Sequence, residues 1–296
     1  MTHQVSIIDE GGMRCVMIKV FGFARRAEHL SQDEYRAALI GYHSSHVRRR
    51  NRIRGYIVNV RANRPMPKAA QIALDGLEGV SPACGQIEWD AYEQLMFDPP
   101  FPDGVSFESG VKDRPGPQGL EVDRSANGNG NDAFLNRDTL RQVQFEEHQA
   151  VPVCRPEHKV FKLALFTRRQ RDLSPACFKS TFIGSYSALV RNAPGLLGFI
   201  LNFPASSCTV SVLDGEWPSW SESNPQPDEN TTELGFNGMA EFWFTSPGAF
   251  ASWRENSAQQ LRVLERDLFE SLVFREVDES VVVLPDRLPP ATFYHR

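Results

Sequence analysis

The sequence predicts an α+β fold in which one βαββαβ unit occurs twice. Three observations lead there: an internal repeat, an ordered alternation of strand-like and helix-capping segments within each copy, and enough apolar bulk for a large core. Residues 17–60 align without a gap onto residues 160–203, and 14 of the 44 positions are identical, where ordinary composition gives roughly two to four by chance. A second block, 89–97, matches 236–244, and the offset between copies grows from 143 to 147. The 296 residues are 41% apolar, with 20 Phe, 5 Trp and 6 Tyr. That suits two soluble domains and excludes wholesale disorder.

Each copy opens on a β-prone run, MIKVFGF (17–23) or VFKLALF (160–166). A helix start follows at the same place in both. Ser31-Gln-Asp-Glu34 has the form of a capping box, and Ser174-Pro175 puts an N-cap before proline at the first helical position. Along that helix Tyr35, Leu39, His43 and Val47 recur every four residues, as do Phe178, Phe182, Tyr186 and Val190. These positions share one face, which is expected to pack on a sheet. GYIVNV and GFILNF are the second strands, and EWDAYEQLMF and GFNGMAEFWF carry the third. In the second copy Ser246-Pro247 introduces a helix near 248–262, and LVFREVDESVVVL is the closing strand. The order is that of a ferredoxin-like plait. The second helix of the first copy is not evident, because 99–131 is rich in Pro, Gly, Asn and Asp and reads as a long insertion or lid. NDAFLNRD (131–138) resembles ERDLFESL (265–272), and LRQVQFEEHQAVPV supplies the first closing strand. The expected units are 14–153, carrying the insertion, and 154–290.

Composition limits the partners. A formal charge of -5 gives no general attraction to nucleic acid. No apolar run approaches the roughly 20 residues of a membrane helix, and Met1–Gly12 lacks the basic and apolar regions of a signal peptide, so a cytoplasmic protein is expected. Cys15, Cys84, Cys154, Cys177 and Cys208 are scattered and odd in number, which indicates neither a disulfide framework nor a zinc site. The basic run Arg48, Arg49, Arg50, Arg52 and Arg54 follows a helix, whose negative end it complements, although it could also meet an anion. G-x-G-x-x-G, Walker, H-E-x-x-H and G-x-S-x-G patterns are absent, so nothing in the sequence points to a cofactor or a metal.

Taken together, Lys19, Arg25-Arg26, Leu30-Ser31, His43, Gly55-Tyr56 to Asn59, and Asn237-Gly238-Met239-Ala240-Glu241-Phe242-Trp243-Phe244 resemble the EthD-like members of the dimeric α-β barrel superfamily. The resemblance spans both copies, about two thirds of the chain, and leaves out 61–86, 99–131 and 204–232. It implies two ferredoxin-like repeats packed sheet to sheet as an intramolecular dimeric α-β barrel, with a further homodimer open. For activity it implies a choice among cyclases, dehydratases, decarboxylases, isomerases and cofactor-free quinone-forming monooxygenases.

His43 is the leading candidate for chemistry. An imidazole can give or take a proton at neutral pH, and the repeat phase turns it toward the sheet, where a core histidine is the structural alternative. Tyr186 holds the same place in the second copy, and its phenol is a weaker base or a packing aromatic. One working pocket and one degenerate pocket are therefore expected. Glu241, on the third strand, is either an acid or base with a raised pKa beside aromatics or a salt-bridge partner, and Gln94 replaces it in the first copy. His46 lies three residues after His43, at the rim or, less simply, as a metal pair without visible further ligands. Asn59 and Asn202 recur in both copies and could orient a carbonyl or make a structural bond. Tyr35, Trp89, Tyr92 and Trp243 complete the candidate substrate contacts, with Trp217 and Trp220 as loop aromatics. The expected ligand is a hydrophobic, aromatic or polyketide-like small molecule. The expected reaction is a cyclisation, dehydration or decarboxylation, with the cofactor-free monooxygenase or a non-catalytic binding protein as alternatives.

Overall fold

The computed structural model describes residues 5–8, 14–48, 53–75, 77, 89–97, 133–211 and 235–286. The first half runs β1 (Val5–Ile8), β2 (Arg14–Arg26), α1 (Gln32–Ala37), a π-helical turn (Ala38–His43), α2 (Ser44–Val47), β3 (Ile53–Arg61), α3 (Lys68–Asp75), β4 (Ala91–Phe97) and β5 (Leu135–Val151). The second runs β6 (Phe161–Arg169), α4 (Pro175–Thr181), a second π-helical turn (Phe182–Tyr186), α5 (Ser187–Arg191), β7 (Leu196–Ser211), β8 (Gly238–Phe244), α6 (Pro247–Asn256), α7 (Ala258–Leu268) and β9 (Phe269–Val283).

Eight strands close an antiparallel barrel in the order β2-β4-β3-β9-β6-β8-β7-β5, with β5 returning to β2 and β1 added along the start of β2. Within each half the same order appears, β5-β2-β4-β3 and β9-β6-β8-β7. The halves do not stack face to face as expected from sequence. They join edge to edge through the β3–β9 and β5–β7 ladders, which pair four strand edges that would otherwise expose unbonded backbone.

The side-chain period of two then divides the core into layers. Phe21, Phe23, Tyr92, Phe145, Phe166 and Met239 fill the lumen. Val20, Tyr35, Leu39, Val58, Leu95 and Phe134 pack between the first half's outer surface and α1–α2. A larger layer, including Phe178, Phe182, Phe199, Phe242, Trp253 and Phe269, lies under the second half's helices. Ala70 of α3 joins that layer, so a helix from one half packs on the other.

The capping expected from sequence forms in both copies. Ser31 and Glu34 make a reciprocal capping box, and Ser174 accepts from the Cys177 amide with Pro175 at the helix start. A strict four-residue stripe overshoots an α-helical turn by about 40° at each step and would wind off the sheet. The π-helical turn absorbs that overshoot, and Tyr35, Leu39, His43 and Val47 are all buried, as are Phe178, Phe182, Tyr186 and Val190. Ser44 and Ser187, identical between copies, donate to carbonyls five residues back, on Leu39 at 2.7 Å and Phe182 at 3.2 Å, and hold each wide turn.

Gly55 and Gly198 are also identical, for a mutual reason. The chain leaving β5 crosses Gly198, where a Cβ would sit 2.9 Å from Val153 Cα, and the chain leaving β9 crosses Gly55, where it would sit 2.9 Å from Pro285 Cα. Matching backbone bonds fix the crossings, Cys154 to Leu197 at 2.7 Å and Asp286 to Arg54 at 2.8 Å. Helix α3 falls inside 61–86, a stretch that the family resemblance leaves out, and the helix expected near 248–262 is two helices broken at Ser257. The proposed lid at 99–131 lies outside the described residues.

Candidate functional site

Glu93 and Gln94 are consecutive in β4 and face opposite sides of the wall, Glu93 toward the helix layer and Gln94 into the lumen. This alternation separates the residues expected to act together. Glu241, Asn59, Asn202, Tyr92, Trp89 and Trp243 belong to the barrel interior, while His43 and Tyr35 lie outside the wall in the first half and Tyr186 outside it in the second. No small ligand can touch both His43 and Glu241 through the intact sheet.

Outside the wall, His43 Nε2 lies 3.2 Å from Glu93 Oε2, and Tyr56 donates its hydroxyl to Glu93 Oε1 at 2.6 Å. Phe134 packs edge-on against His43, with ring centroids 5.7 Å apart, and Tyr35, two turns earlier in the helix, closes the group by packing on Phe134. An ionised carboxylate only accepts hydrogen bonds, so Glu93 selects the tautomer of neutral His43 with the proton on Nε2 and the lone pair on Nδ1. That Nδ1 is buried and has no hydrogen-bond partner, and the same is true of the Tyr35 hydroxyl. Burial, reinforced by Glu93 and Asp90, pushes the Tyr35 phenol well above its usual value, so it stays a neutral donor. His43 is 8% exposed. Two polar atoms left bare in such an apolar layer are unusual and costly.

The corresponding place in the second half is filled. Phe178, Tyr186, Phe199, Ala240 and Leu268 stand where the first half has Tyr35, His43, Tyr56, Glu93 and Phe134, and all five are buried. Tyr186 donates to Glu265 at 3.1 Å, and Arg254 bonds the same carboxylate through both terminal nitrogens. Burial first, then Glu265, raises the Tyr186 phenol well above its usual range against the opposing Arg254. Tyr186 is thus a satisfied core donor, unsuited to remove a proton.

The lumen holds a polar network of near two-fold form. Lys19 pairs with Glu147 at 2.5 Å and donates to Asn202 at 2.8 Å; Lys162 pairs with Glu279 at 2.6 Å and donates to Asn59 at 2.6 Å. Each lysine therefore binds a carboxylate of its own half and an asparagine of the other. Glu241 sits between them, 2.8 Å from Lys162 and 3.9 Å from Lys19, and accepts from Tyr92, Gln94 and Asn202. Trp243 donates to Glu279, with Lys162 over its ring. Burial would raise the Glu241 carboxyl, but Lys162 and then Lys19 outweigh it and hold the pKa below the ordinary value. This corrects the expectation of a raised pKa: aromatics are near, but two ammonium groups are nearer. Trp89, whose indole nitrogen has no partner, packs with Phe23, Tyr92 and Phe166 at the aromatic part of the lumen.

The His46 side chain, Trp217 and Trp220 lie outside the described residues. Among the described residues no group of three or more His, Cys, Asp and Glu is placed to hold a metal ion, and no helix is long and apolar enough to cross a membrane. Sequence reasoning missed Glu93 and Tyr56, although period-two counting on β4 turns Glu93 toward the helix that carries His43. It also missed Glu147 and Glu279, because the offset between copies falls from 147 to 132 across the first half's long insertion.

No protein-family model and no curated protein matches the chain, and neither comparison bears out the EthD-like resemblance. Among solved structures it is similar to an anthrone oxidase-like protein, at 9% identity over 93% of this chain and 96% of that one, with a TM-score of 0.47. It is similar also to two proteins described as "putative monooxygenase". The one from Fusobacterium nucleatum subsp. nucleatum has 9% identity, covers 92% and 94%, and gives a TM-score of 0.48; the one from Lactobacillus acidophilus NCFM has 10%, 90% and 95%, and 0.44. At this distance the functional reading rests on the residues of the chain itself.

Proposed function

We propose that the protein is an enzyme in which two fused ferredoxin-like halves, residues 14–153 and 154–290, have diverged: the first keeps a proton-transfer site and the second has exchanged it for packing. The matched strand orders, the reciprocal glycine crossings and the two-fold lysine network support the fusion. The observation that carries the function is the buried, unpartnered Nδ1 of His43, with Nε2 held by Glu93.

In this reading His43 Nδ1 removes a proton from a phenol or an activated ring carbon of an apolar aromatic molecule. Glu93 orients the imidazole and stabilises the imidazolium that forms, Tyr56 fixes Glu93, and Tyr35 donates its hydroxyl to oxygen on the developing anion. Elimination or cyclisation further needs acids for a departing oxygen or for several folded carbonyls. The described group offers one base, one neutral phenol donor and apolar walls, which suits direct reaction of the carbanion with molecular oxygen. One O₂ then converts a ring CH₂ to a carbonyl and yields one water, so a quinone-forming oxygenase working without a bound cofactor is our preferred reading.

The test is oxygen uptake with an anthrone, for wild type, His43→Ala and Glu93→Gln. Oxygen-dependent quinone formation that falls by about 10² or more in His43→Ala supports the reading. Turnover of an aromatic or polyketide substrate under nitrogen moves the assignment to a lyase or cyclase, and equal rates with and without His43 overturn the site.

A further inference from the structure

We infer that a groove at one mouth of the barrel, remote in function from His43, binds a small molecule bearing two or more negative charges as phosphate or carboxylate groups. The groove encloses about 780 Å³ and is bordered by α1, the segment after β3, the segment leading into β6, and β9. Arg36, Arg61, Arg64, Arg155, Lys159 and Lys162 line it, against the carboxylates Asp33, Asp278 and Glu279. In a chain of formal charge -5 this concentration of cations is local and not a consequence of composition.

The direction of the ion pairs matters more than their number. In the Arg36–Asp278 pair the side chains are 35% and 10% exposed, in Arg61–Asp90 44% and 11%, and in Arg155–Glu279 22% and 8%. Arg64 is likewise more exposed than Glu276 and Asp278, and Lys159 more than Asp278. In each pair the cation is the more exposed member, and the less exposed carboxylate braces it. Asp278 serves Arg36, Arg64 and Lys159, and Arg64 has Glu276 as a second partner, so three cations share two carboxylates. Such bracing fixes guanidinium groups in advance, so an oxyanion meets ordered donors and bonds them bidentately at little entropic cost. Lys162 extends the same field from the groove into the lumen, where it joins the Glu241 network.

The test is calorimetric titration of the purified chain at low ionic strength, with inorganic pyrophosphate in one arm and phthalate in the other. Wild type is compared with Arg64→Gln, with the solvent-exposed Lys159→Ala, and with Arg171→Gln outside the groove. The expected result is binding that weakens with added salt, by about tenfold in Arg64→Gln and about threefold in Lys159→Ala, and is unchanged in Arg171→Gln. Binding of pyrophosphate alone assigns a phosphate ligand, and of phthalate alone a carboxylate. Lys159→Ala keeps the test decisive if Arg64→Gln unfolds. Neither anion binding at millimolar concentration, or equal affinities in the groove variants and the control, overturns the proposal.

Discussion

Gln94 and Glu241 meet across the full width of the barrel: Gln94 Nε2 donates to Glu241 Oε1 at 2.6 Å, from strands four places apart on the eight-stranded ring. They occupy equivalent positions in the two copies, so the pair marks where the approximate two-fold axis crosses the lumen. At such a position two identical residues would face each other. Two glutamates would place like charges in contact without water, whereas one amide and one carboxylate make a hydrogen bond and leave Glu241 to both lysines. Gln94→Glu is therefore expected to destabilise the fold by about 3 kcal/mol, from an uncompensated buried charge. The double variant Gln94→Glu with Glu241→Gln returns the charge to Lys19 and is expected to recover most of that loss. Urea unfolding of wild type, the two single variants Gln94→Glu and Glu241→Gln, and the double variant measures this; a double variant as unstable as Gln94→Glu would sink the two-fold account.

The repeat made the barrel largely legible. Identical residues such as Ser44 and Ser187, or Gly55 and Gly198, report backbone needs that recur in both halves, and those needs define the fold. The candidate site was legible only in part. His43 stood out because an imidazole sits on the sheet-facing stripe of its helix, but Glu93 was hidden opposite Ala240, and the period-two count had been applied to the face of Glu241. The lumen was misread for a different reason. Composition places aromatics beside Glu241, yet the sign of its pKa is set by Lys19 and Lys162, which only closure of the barrel brings to it. Helix α3 was missed because its partners, including Trp253 and Phe250 of the packed layer, belong to the other half.

Tyr35 keeps a buried hydroxyl without a partner, whereas Tyr186, eight residues further along the equivalent helix, is satisfied by Glu265. An unpaired buried hydroxyl costs stability unless a ligand bonds to it. Tyr35→Phe is expected to raise the unfolding free energy by about 1 kcal/mol, since the phenylalanine ring preserves the packing against Phe134. In the reading proposed above it also slows turnover by about tenfold, one hydrogen bond's share of the barrier. Thermal unfolding and steady-state rates on the same samples check both, and a variant neither more stable nor slower would return Tyr35 to the core.

The glycine crossings make a packing prediction. A Cβ at position 198 would lie 2.9 Å from both Cα and Cγ2 of Val153, and Val153 Cα cannot yield without moving the chain that joins the halves. Gly198→Ala is expected to cost about 1–3 kcal/mol by overpacking. Gly41→Ala, which has open space around the added methyl, serves as the control with a small effect. Denaturant midpoints decide the matter, and equal midpoints for the two variants would remove the steric reason for the shared glycine.

Acid stability follows from the carboxylates of the lumen and mouth. Burial works against the Glu279 carboxylate, but Lys162 and Arg155 outweigh it and lower its pKa from 4.5 to about 2. Glu241 is lowered by Lys162 and Lys19 against the same opposition, and Asp278 by Arg64 and Arg36 against partial burial. A carboxylate whose pKa is depressed on folding binds its proton more readily in the unfolded chain. Its contribution is therefore complete above the unfolded pKa and disappears as pH falls through the folded one. The unfolding free energy is expected to drop steeply between about pH 4.5 and pH 2, with proton uptake on unfolding in that window. Glu279→Gln removes one of these protons, so its stability should fall less steeply across the window even though it begins lower, with Lys162 and Arg155 sharing one carboxylate fewer. Urea titrations at stepped pH measure both slopes, and parallel curves for wild type and Glu279→Gln would show that the lumen ion pairs do not govern the acid limit of this fold.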